Sequence, residues 1–298
     1  MIGYGILLVV IVILIYSVIE NRFVKTVRYR ILLHSDGTVQ RIGNGEVPED
    51  AAEWIRIIQL SDLHGCHYGP DNINLYQKIK SCNPDILIFT GDMITKYKII
   101  PSELISLLER LASEYLCIYS LGNHELKERR KHPERFQAYL EQLQQAGVQL
   151  MDDTVREFVL KDRKLMLGAC SSTIENYSKT LKPCAKNVYI PQRDCADVSG
   201  SVLLAHDPNF AMEYRKTLYS IVFSGHLHGG IVRIPGWRGV VSTQFKLFPR
   251  YAGGYYQLKD KQAMIVSRGL GSHTIKFRLF NRPELAQADI YIFSKSQR

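Results

Sequence analysis

The chain of 298 residues is 46% hydrophobic and 22% charged, ordinary globular proportions that give core enough for one large α/β domain or two small ones. No internal repeat or low-complexity tract appears, which excludes solenoid and fibrous architectures. A formal charge of +9 favours anionic partners: phosphorylated substrates, lipid headgroups or nucleic acid. The six cysteines (Cys66, Cys82, Cys117, Cys170, Cys184, Cys195) form no C-x-x-C pair and do not read as a disulfide framework. Cys82 and Cys117, in or near apolar segments, are expected to be reduced core residues, whereas Cys184 and Cys195 could bridge a loop only in an oxidising compartment.

Residues 2–19 are apolar apart from Tyr4, Tyr16, Ser17 and small glycines, a run that just reaches across a bilayer core of roughly 30 Å. No Lys or Arg precedes it and no clean small-x-small site follows, so an anchor is expected rather than a cleaved signal peptide. Arg22, Lys25, Arg28 and Arg30 come directly after it, which by the positive-inside rule places the remainder in the cytoplasm and also suits anionic headgroups. The expected division is therefore a single-pass transmembrane anchor at 1–20, a linker with an edge strand at 21–50, and one α/β domain at 51–298. Within the linker, 27–33 alternates like an edge strand and Asp36-Gly37 reads as a turn.

Beyond the linker, one pattern recurs: an apolar strand runs into a short polar motif. The strand at 54–60 ends in Ser61-Asp62-Leu63-His64-Gly65, where Asp62 and His64 on extended backbone would point the same way and share one ion. Capping a helix at 74–80 is the alternative for Asp62. His67 reads as a solvated or substrate-side residue. The strand at 86–90 ends in Gly91-Asp92, and a carboxylate at the tip of an apolar strand is costly to bury unless a cation or donor meets it. Its alternative is an indirect cap on a helix at 101–112. The third strand, 116–121, leads to Gly122-Asn123-His124-Glu125, which offers an amide oxygen and an imidazole, and a helix is expected at about 132–146.

Residues 148–170 read as an antiparallel pair with its turn at Asp162-Arg163, while 171–200 yields no assignment. The strand at 201–205 is followed by His206-Asp207-Pro208, with Asp207 or Asn209 placed to start a helix at 210–216. The run 218–223 is followed by Gly225-His226-Leu227-His228-Gly229-Gly230. Five of the nine histidines thus sit at strand ends beside Asp62, Asp92 and Asn123. Independent capping roles would have to coincide five times in one context, whereas convergence on metal explains all five together.

The ordered set Asp62-x-His64, Gly91-Asp92, Gly122-Asn-His-Glu125, His206 and Gly225-His-x-His228 resembles the calcineurin-like metallophosphoesterases over about residues 56–230. Ser61-Asp-Leu-His-Gly65 and His228-Gly-Gly230 are similar to the membrane-anchored bacterial branch, which includes YkuE-like and YaeI-like phosphoesterases and a UDP-diacylglucosamine pyrophosphatase. Ser267-Arg-Gly-Leu-Gly271 and Arg282-Pro-Glu284 resemble that branch's carboxy-terminal strands. Glu125 stands where many members have Asp.

The resemblance implies a four-layer α/β/β/α sandwich with metals at the strand ends between two sheets. It implies two divalent metal ions, one held by Asp62, His64 and His228, the other by Asn123, His206 and His226, with Asp92 bridging. A mixed O/N ligand set suits Mn, Fe or Zn, and Mn is expected. The reaction expected is attack of a metal-bridging hydroxide on phosphorus, with His124 assisting the leaving oxygen and Glu125 orienting His124 or the local backbone. Partners expected are a phosphorylated small-molecule or lipid substrate, as a phosphodiester or pyrophosphate, and the membrane. No dedicated nucleic-acid module is seen, though a nuclease or protein phosphatase is an alternative. A non-catalytic metal-binding scaffold is another. Tyr251, Tyr255, Tyr256 and His273 are candidates to shape the cleft, with core packing the commoner fate for such residues.

Overall fold

The structure, a computed structural model, describes residues 2–43, 47–171, 200–235, 239–242, 245, 247–271 and 276–293. Helix α1 (Ile2–Arg22) is long and apolar enough to cross a membrane. Strands β1 (Lys25–Leu33), β2 (Val39–Ile42), β3 (Ala51–Leu60), β4 (Ile86–Phe89), β5 (Leu116–Ser120), β6 (Gln149–Met151) and β15 (Glu284–Phe293) make one sheet in the order β2-β1-β15-β3-β4-β5-β6. A second sheet runs β13-β14-β10-β9-β8-β7, built from β7 (Val155–Leu160), β8 (Arg163–Cys170), β9 (Gly200–Ala205), β10 (Ile221–Ser224), β13 (Gly254–Lys259) and β14 (Gln262–Val266). A small hairpin, β11 (Val232–Arg233) with β12 (Gly239–Val241), stands apart from both.

The period-2 alternation of each strand sorts its side chains between two cores. Ile55, Ile57, Ile86, Ile88 and Ile118 meet Leu165, Leu167, Val202, Leu204, Ile221 and Phe223 between the sheets. The intervening residues Ile58, Leu60, Leu87, Phe89 and Tyr119 face the helices α2 (Ile73–Lys80), α3 (Ser102–Ala112) and α5 (Pro133–Gln145). Helix α3 shows why it docks: Leu104, Leu107, Leu108 and Leu111 repeat at helical spacing and all are buried, each burial contributing about 1.5–3 kcal/mol. On the outer face of the second sheet, Leu203, Ala205 and Val222 pack against Phe210, Tyr214 and Tyr219 around the short α6 (Ala211–Tyr214). Helix, sheet, sheet and helix make the expected four-layer α/β/β/α sandwich.

Several local expectations change. Strand β1 is not an edge: it lies between β15 (parallel) and β2 (antiparallel), so β2 takes the edge and 25–42 belongs to the sheet. A helix begins before 132, because α4 (Asn123–Lys131) starts at the motif itself and breaks at His132-Pro133, where the ring of Pro133 opens α5. The turn of the β7–β8 hairpin is Lys161-Asp162, both at positive φ, rather than Asp162-Arg163. Beyond β9, Asp207 Oδ1 accepts the Asn209 N–H at 2.9 Å and starts a 3₁₀ turn, leaving α6 only four residues. Cys82, Cys117 and Cys170 are buried, and Cys66 is half-buried; Cys184, Cys195, His273 and nearly all of 171–200 lie outside the described residues. Tyr251 is buried in the outer core with Tyr256 packed against it, and Tyr255 packs on the inter-sheet core.

Candidate metal centre

In both sheets the parallel strands point their carboxyl ends to one side, and every motif emerges there: Asp62 and His64 after β3, Asp92 after β4, Asn123 and His124 after β5, His206 after β9, and His226 and His228 after β10. The buried Gln59 ties the two sheets together just below, its Nε2 donating to Ser224 O and Thr90 Oγ1, each at 2.8 Å.

The backbone that presents these side chains is not extended. Asp62, His64, Asp92, His226 and His228 all have positive φ, from 50° to 70°. Asp and His tolerate the left-handed region better than most residues but still at a cost, and five instances at one spot mark a functional constraint. Asp62 and His64 therefore converge through a double left-handed turn, not through strand alternation as expected. Close approach enforces the geometry elsewhere: a Cβ on Gly225 would lie 2.0 Å from Ser61 Oγ and 2.4 Å from Asp62 Oδ2, and one on Gly122 only 2.4 Å from Asp92 Oδ1.

Asp62, His64 and His228 place ligand atoms within 4.8 Å of one another, as do His64, Asp92 and His124, and Asp92, His206 and His226. Asp92 Oδ2 lies 3.2 Å from His206 Nε2 and 3.9 Å from the Nε2 atoms of His64 and His124. Asp62 Oδ1 lies 3.5 Å from His228 Nε2. Asn123, immediately before His124 in the chain, is buried, and its Oδ1 has no hydrogen-bond partner among the described residues. Neither aspartate caps the helix proposed for it. Asp62 accepts Ser61 Oγ–H and the His226 N–H, while Asp92 Oδ1 accepts the His124 N–H at 2.7 Å and so caps α4 from outside.

Hydrogen bonds on the far side of each ring separate the roles of three histidines. His206 Nδ1 donates to Thr90 O at 2.7 Å and His228 Nδ1 to Gly271 O at 2.9 Å, so each neutral ring turns an Nε2 lone pair inward. His124 is reversed: its Nδ1 accepts the Lys96 N–H at 3.0 Å, so the neutral ring carries its proton on the inward Nε2. His64 Nε2 faces His228 Nε2 at 3.2 Å, and His226 Nδ1 faces His206 Nε2 at 3.3 Å. Buried nitrogens set face to face beside two carboxylates and an unsatisfied amide oxygen fit a divalent cation.

Electrostatics follow from burial. Burial works to raise the Asp92 carboxyl, yet the imidazoles of His206, His124 and His64 hold it well below the usual range. Burial opposes charge on His206 as well, but Asp92 and then Asp62 lift its pKa to about 10. Burial and the neighbouring His206 push His226 well down, and burial lowers His228 against the pull of Asp62.

Glu125 acts on the backbone. Its fully buried carboxylate accepts the N–H groups of Asp92 (2.8 Å), Met93 (2.8 Å), Ile94 (3.2 Å) and Gly122 (3.1 Å), and the Tyr119 hydroxyl (2.9 Å). It clasps the β4 and β5 loops together, and burial with the nearby Asp92 charge raises its pKa to about 7.

Behind the candidate ligands lies a second buried layer for which the sequence holds no motif. Buried Arg278 donates to the carbonyls of Arg268, Gly269, Gly271 and Asn281, and Asn281 Nδ2 donates to the carbonyls of His228 and Gly230. A lone Arg or Asn after a glycine-rich loop carries no signal of that role. His67 is exposed and lines a cleft of about 1210 Å³ that begins at His64.

Buried imidazoles, carboxylates and an amide gathered at the strand ends of two stacked sheets define a metallohydrolase. The chain belongs to the calcineurin-like phosphoesterase family, whose pattern matches residues 55–230, more than half its length. It is accordingly a hydrolase of phosphoester bonds from a family that uses divalent metal ions. Over 240 residues it is 26% identical to the uncharacterized metallophosphoesterase YkoQ of Bacillus subtilis, covering 79% of this chain and 83% of that one. It is 25% identical to the UDP-2,3-diacylglucosamine pyrophosphatase LpxG of Chlamydia trachomatis, covering 78% and 82%. To the phosphodiesterase YaeI of Escherichia coli it is 24% identical, covering 81% and 84%.

Proposed function

We propose that the chain is a membrane-anchored, dinuclear metal-dependent phosphoesterase that cleaves a phosphodiester or pyrophosphate bond in a lipid- or nucleotide-linked substrate. Asp62, His64 and His228 would hold one cation and Asn123, His206 and His226 the other, with Asp92 between them. The observation that carries this reading is the position of Asp92, whose Oδ2 lies 3.9 Å from His64 Nε2 and 3.2 Å from His206 Nε2, one member of each facing histidine pair. The oxygen and imidazole set suits Mn, with Fe or Zn as alternatives. Two such cations, when bound, supply Lewis acidity toward phosphoryl oxygens and lower the pKa of an attacking water.

The chain's own groups do the rest. Asp92 stays ionised because imidazoles surround it, so it neutralises positive charge at the centre of the site. His124, with its proton directed inward by the Lys96 N–H, donates to the oxygen that leaves phosphorus. Glu125 keeps Asp92 and His124 in register by holding both loops at their N–H groups. A cytoplasmic domain beside a membrane is the reading supported by helix α1, which is long and apolar enough to span, and by the basic residues after it, Arg22, Lys25, Arg28 and Arg30. UDP-2,3-diacylglucosamine pyrophosphatase activity in one relative and phosphodiesterase activity in another support both bond types.

The test is hydrolysis of bis-p-nitrophenyl phosphate by the full chain in detergent. Turnover with Mn²⁺, loss with chelator and recovery on adding metal back are expected. Absence of turnover with Mn²⁺, Fe²⁺ and Zn²⁺ alike would sink the proposal and favour a binding scaffold.

A further inference from the structure

The site does not account for the apolar surface beside it. Two residues beyond Gly230 the chain enters the β11–β12 hairpin, where Ile234 is 43% exposed; just after the hairpin Phe245 is 70% exposed, Leu247 69% and Phe248 45%, and Phe280 is 47% exposed. Backbone pairing joins them into one surface. Val232 bridges to Leu279, the Arg233 N–H donates to Leu279 O at 3.0 Å, Val241 bridges to Leu247, and the Phe248 N–H donates to Val240 O at 2.8 Å. Phe245, Phe248 and Phe280 also have φ of 58°, 47° and 54°. Bulky residues seldom adopt that region, and here it presents aromatic rings outward. Contiguous apolar surface of this kind marks an interaction site.

Its position says with what. Helix α1 is fastened to the same segment that carries Phe280. The Tyr16 and Phe280 rings meet at 5.4 Å, Ser17 Oγ accepts the Arg278 N–H at 2.9 Å, and Asn21 Nδ2 reaches Lys276 O at 3.4 Å. Tyr16 precedes Arg22 by six residues, about 9 Å along a helix axis. With Arg22 at the headgroups, Phe280 is level with the upper acyl chains, within the roughly 5–10 Å that interfacial apolar groups enter. Exposed Arg22, Lys276, Arg282 and Arg250 provide the cations that anionic headgroups attract, and the Arg282 guanidinium lies 6.0 Å from the exposed Phe23 ring.

We propose that Ile234, Phe245, Leu247, Phe248 and Phe280 form a second membrane contact, a surface that dips into the bilayer interface beside α1. The inference rests on reading α1 as a membrane span. Held at two places, the domain does not swing on a tether. Its cleft, walled by Val18, Asn21 and Arg22 of α1 on one side and by His64, His67 and Ile99 on the other, opens at headgroup level. A phosphate group of a membrane-resident amphiphile then reaches the site without leaving the bilayer surface.

The test uses the full chain in nanodiscs whose lipids carry bromine at defined acyl depth, with Trp237→Phe leaving buried Trp54 as the background indole. Leu247→Trp is expected to show roughly twofold or greater quenching by bromines at the shallow acyl positions. Val159→Trp, exposed at the opposite end of the second sheet, is expected to show none. Incorporation of α1 with equal or no quenching at the two positions overturns the second contact alone. Unquenched Leu247→Trp with two chains per disc assigns the surface to a second copy and overturns it too. Failure of the chain to enter the disc overturns the anchor reading and the contact with it.

Discussion

His124 and Lys96 meet through a single bond, the Lys96 N–H donated at 3.0 Å to His124 Nδ1, and it sets the direction of the imidazole proton. The neighbouring His206 and His228 make the opposite use of Nδ1 and donate from it. Within one cluster the backbone thus sorts imidazoles into lone-pair donors and a proton donor.

Removal of that proton donor gives the first prediction. His124→Ala should keep its metal content, yet lose about 10²–10⁴-fold in turnover of an alkyl phosphodiester. Loss should be much smaller for a nitrophenyl ester, whose leaving group needs no proton. A leaving-group plot of kcat/KM for both proteins reads this directly; equal losses on the two substrates would refute it.

Splitting the two histidine pairs gives the second. His228 faces Asp62 and His64, whereas His226 faces His206 and Asp92. His228→Ala and His226→Ala should each retain about one metal per chain by elemental analysis, and should differ in which metal is lost. Asp92→Asn should weaken both. Loss of all metal from each single variant would point to one mononuclear site.

The third concerns pH. In the metal-free protein His206 has its pKa raised from 6.5 to about 10, chiefly by Asp92 working against burial. A cation at Nε2 must displace that proton, so below pH 10 metal binding should release one proton from His206. Affinity should then rise toward tenfold per pH unit, as calorimetry in buffers of different ionisation enthalpy will show. The sign for stability is opposite. In the metal-free chain the His206–Asp92 pair contributes fully below about pH 6.5, and its contribution is lost as pH rises through about 10.

Arg278 gives the fourth. Four carbonyls, one of them the Gly271 oxygen that holds His228, each accept a hydrogen bond from this one guanidinium. Arg278→Met should destabilise by on the order of 3 kcal/mol in urea unfolding, because the Arg268 and Asn281 carbonyls lose their guanidinium donor and the Gly269 and Gly271 carbonyls lose one of two donors. It should also weaken the metal held by His228 more than the one held by His226.

How much of this was legible in the chain follows from how far apart the cooperating atoms lie. Strands, the amphipathic α3 and the apolar α1 rest on local periodicity, so residues 54–60, 86–90 and 116–121 read correctly as strands that run into Asp62, Asp92 and Asn123. The ordering of those motifs was enough to nominate the residues that gather in the cluster, since each chemistry-bearing residue follows an apolar run. What the sequence could not carry is geometry between distant segments: His64 against His228, Gly271 behind His228, Glu125 beneath Asp92. The left-handed turns at Asp62 and His64 belong to the same class, because only the surrounding fold makes that conformation the lowest in energy. The place of Phe280 beside Tyr16 does as well, since an exposed phenylalanine has no local signature. Propensity determined the elements and the residues offered at their ends; tertiary packing decided which atoms meet, and thereby which imidazole turns a lone pair inward and which a proton.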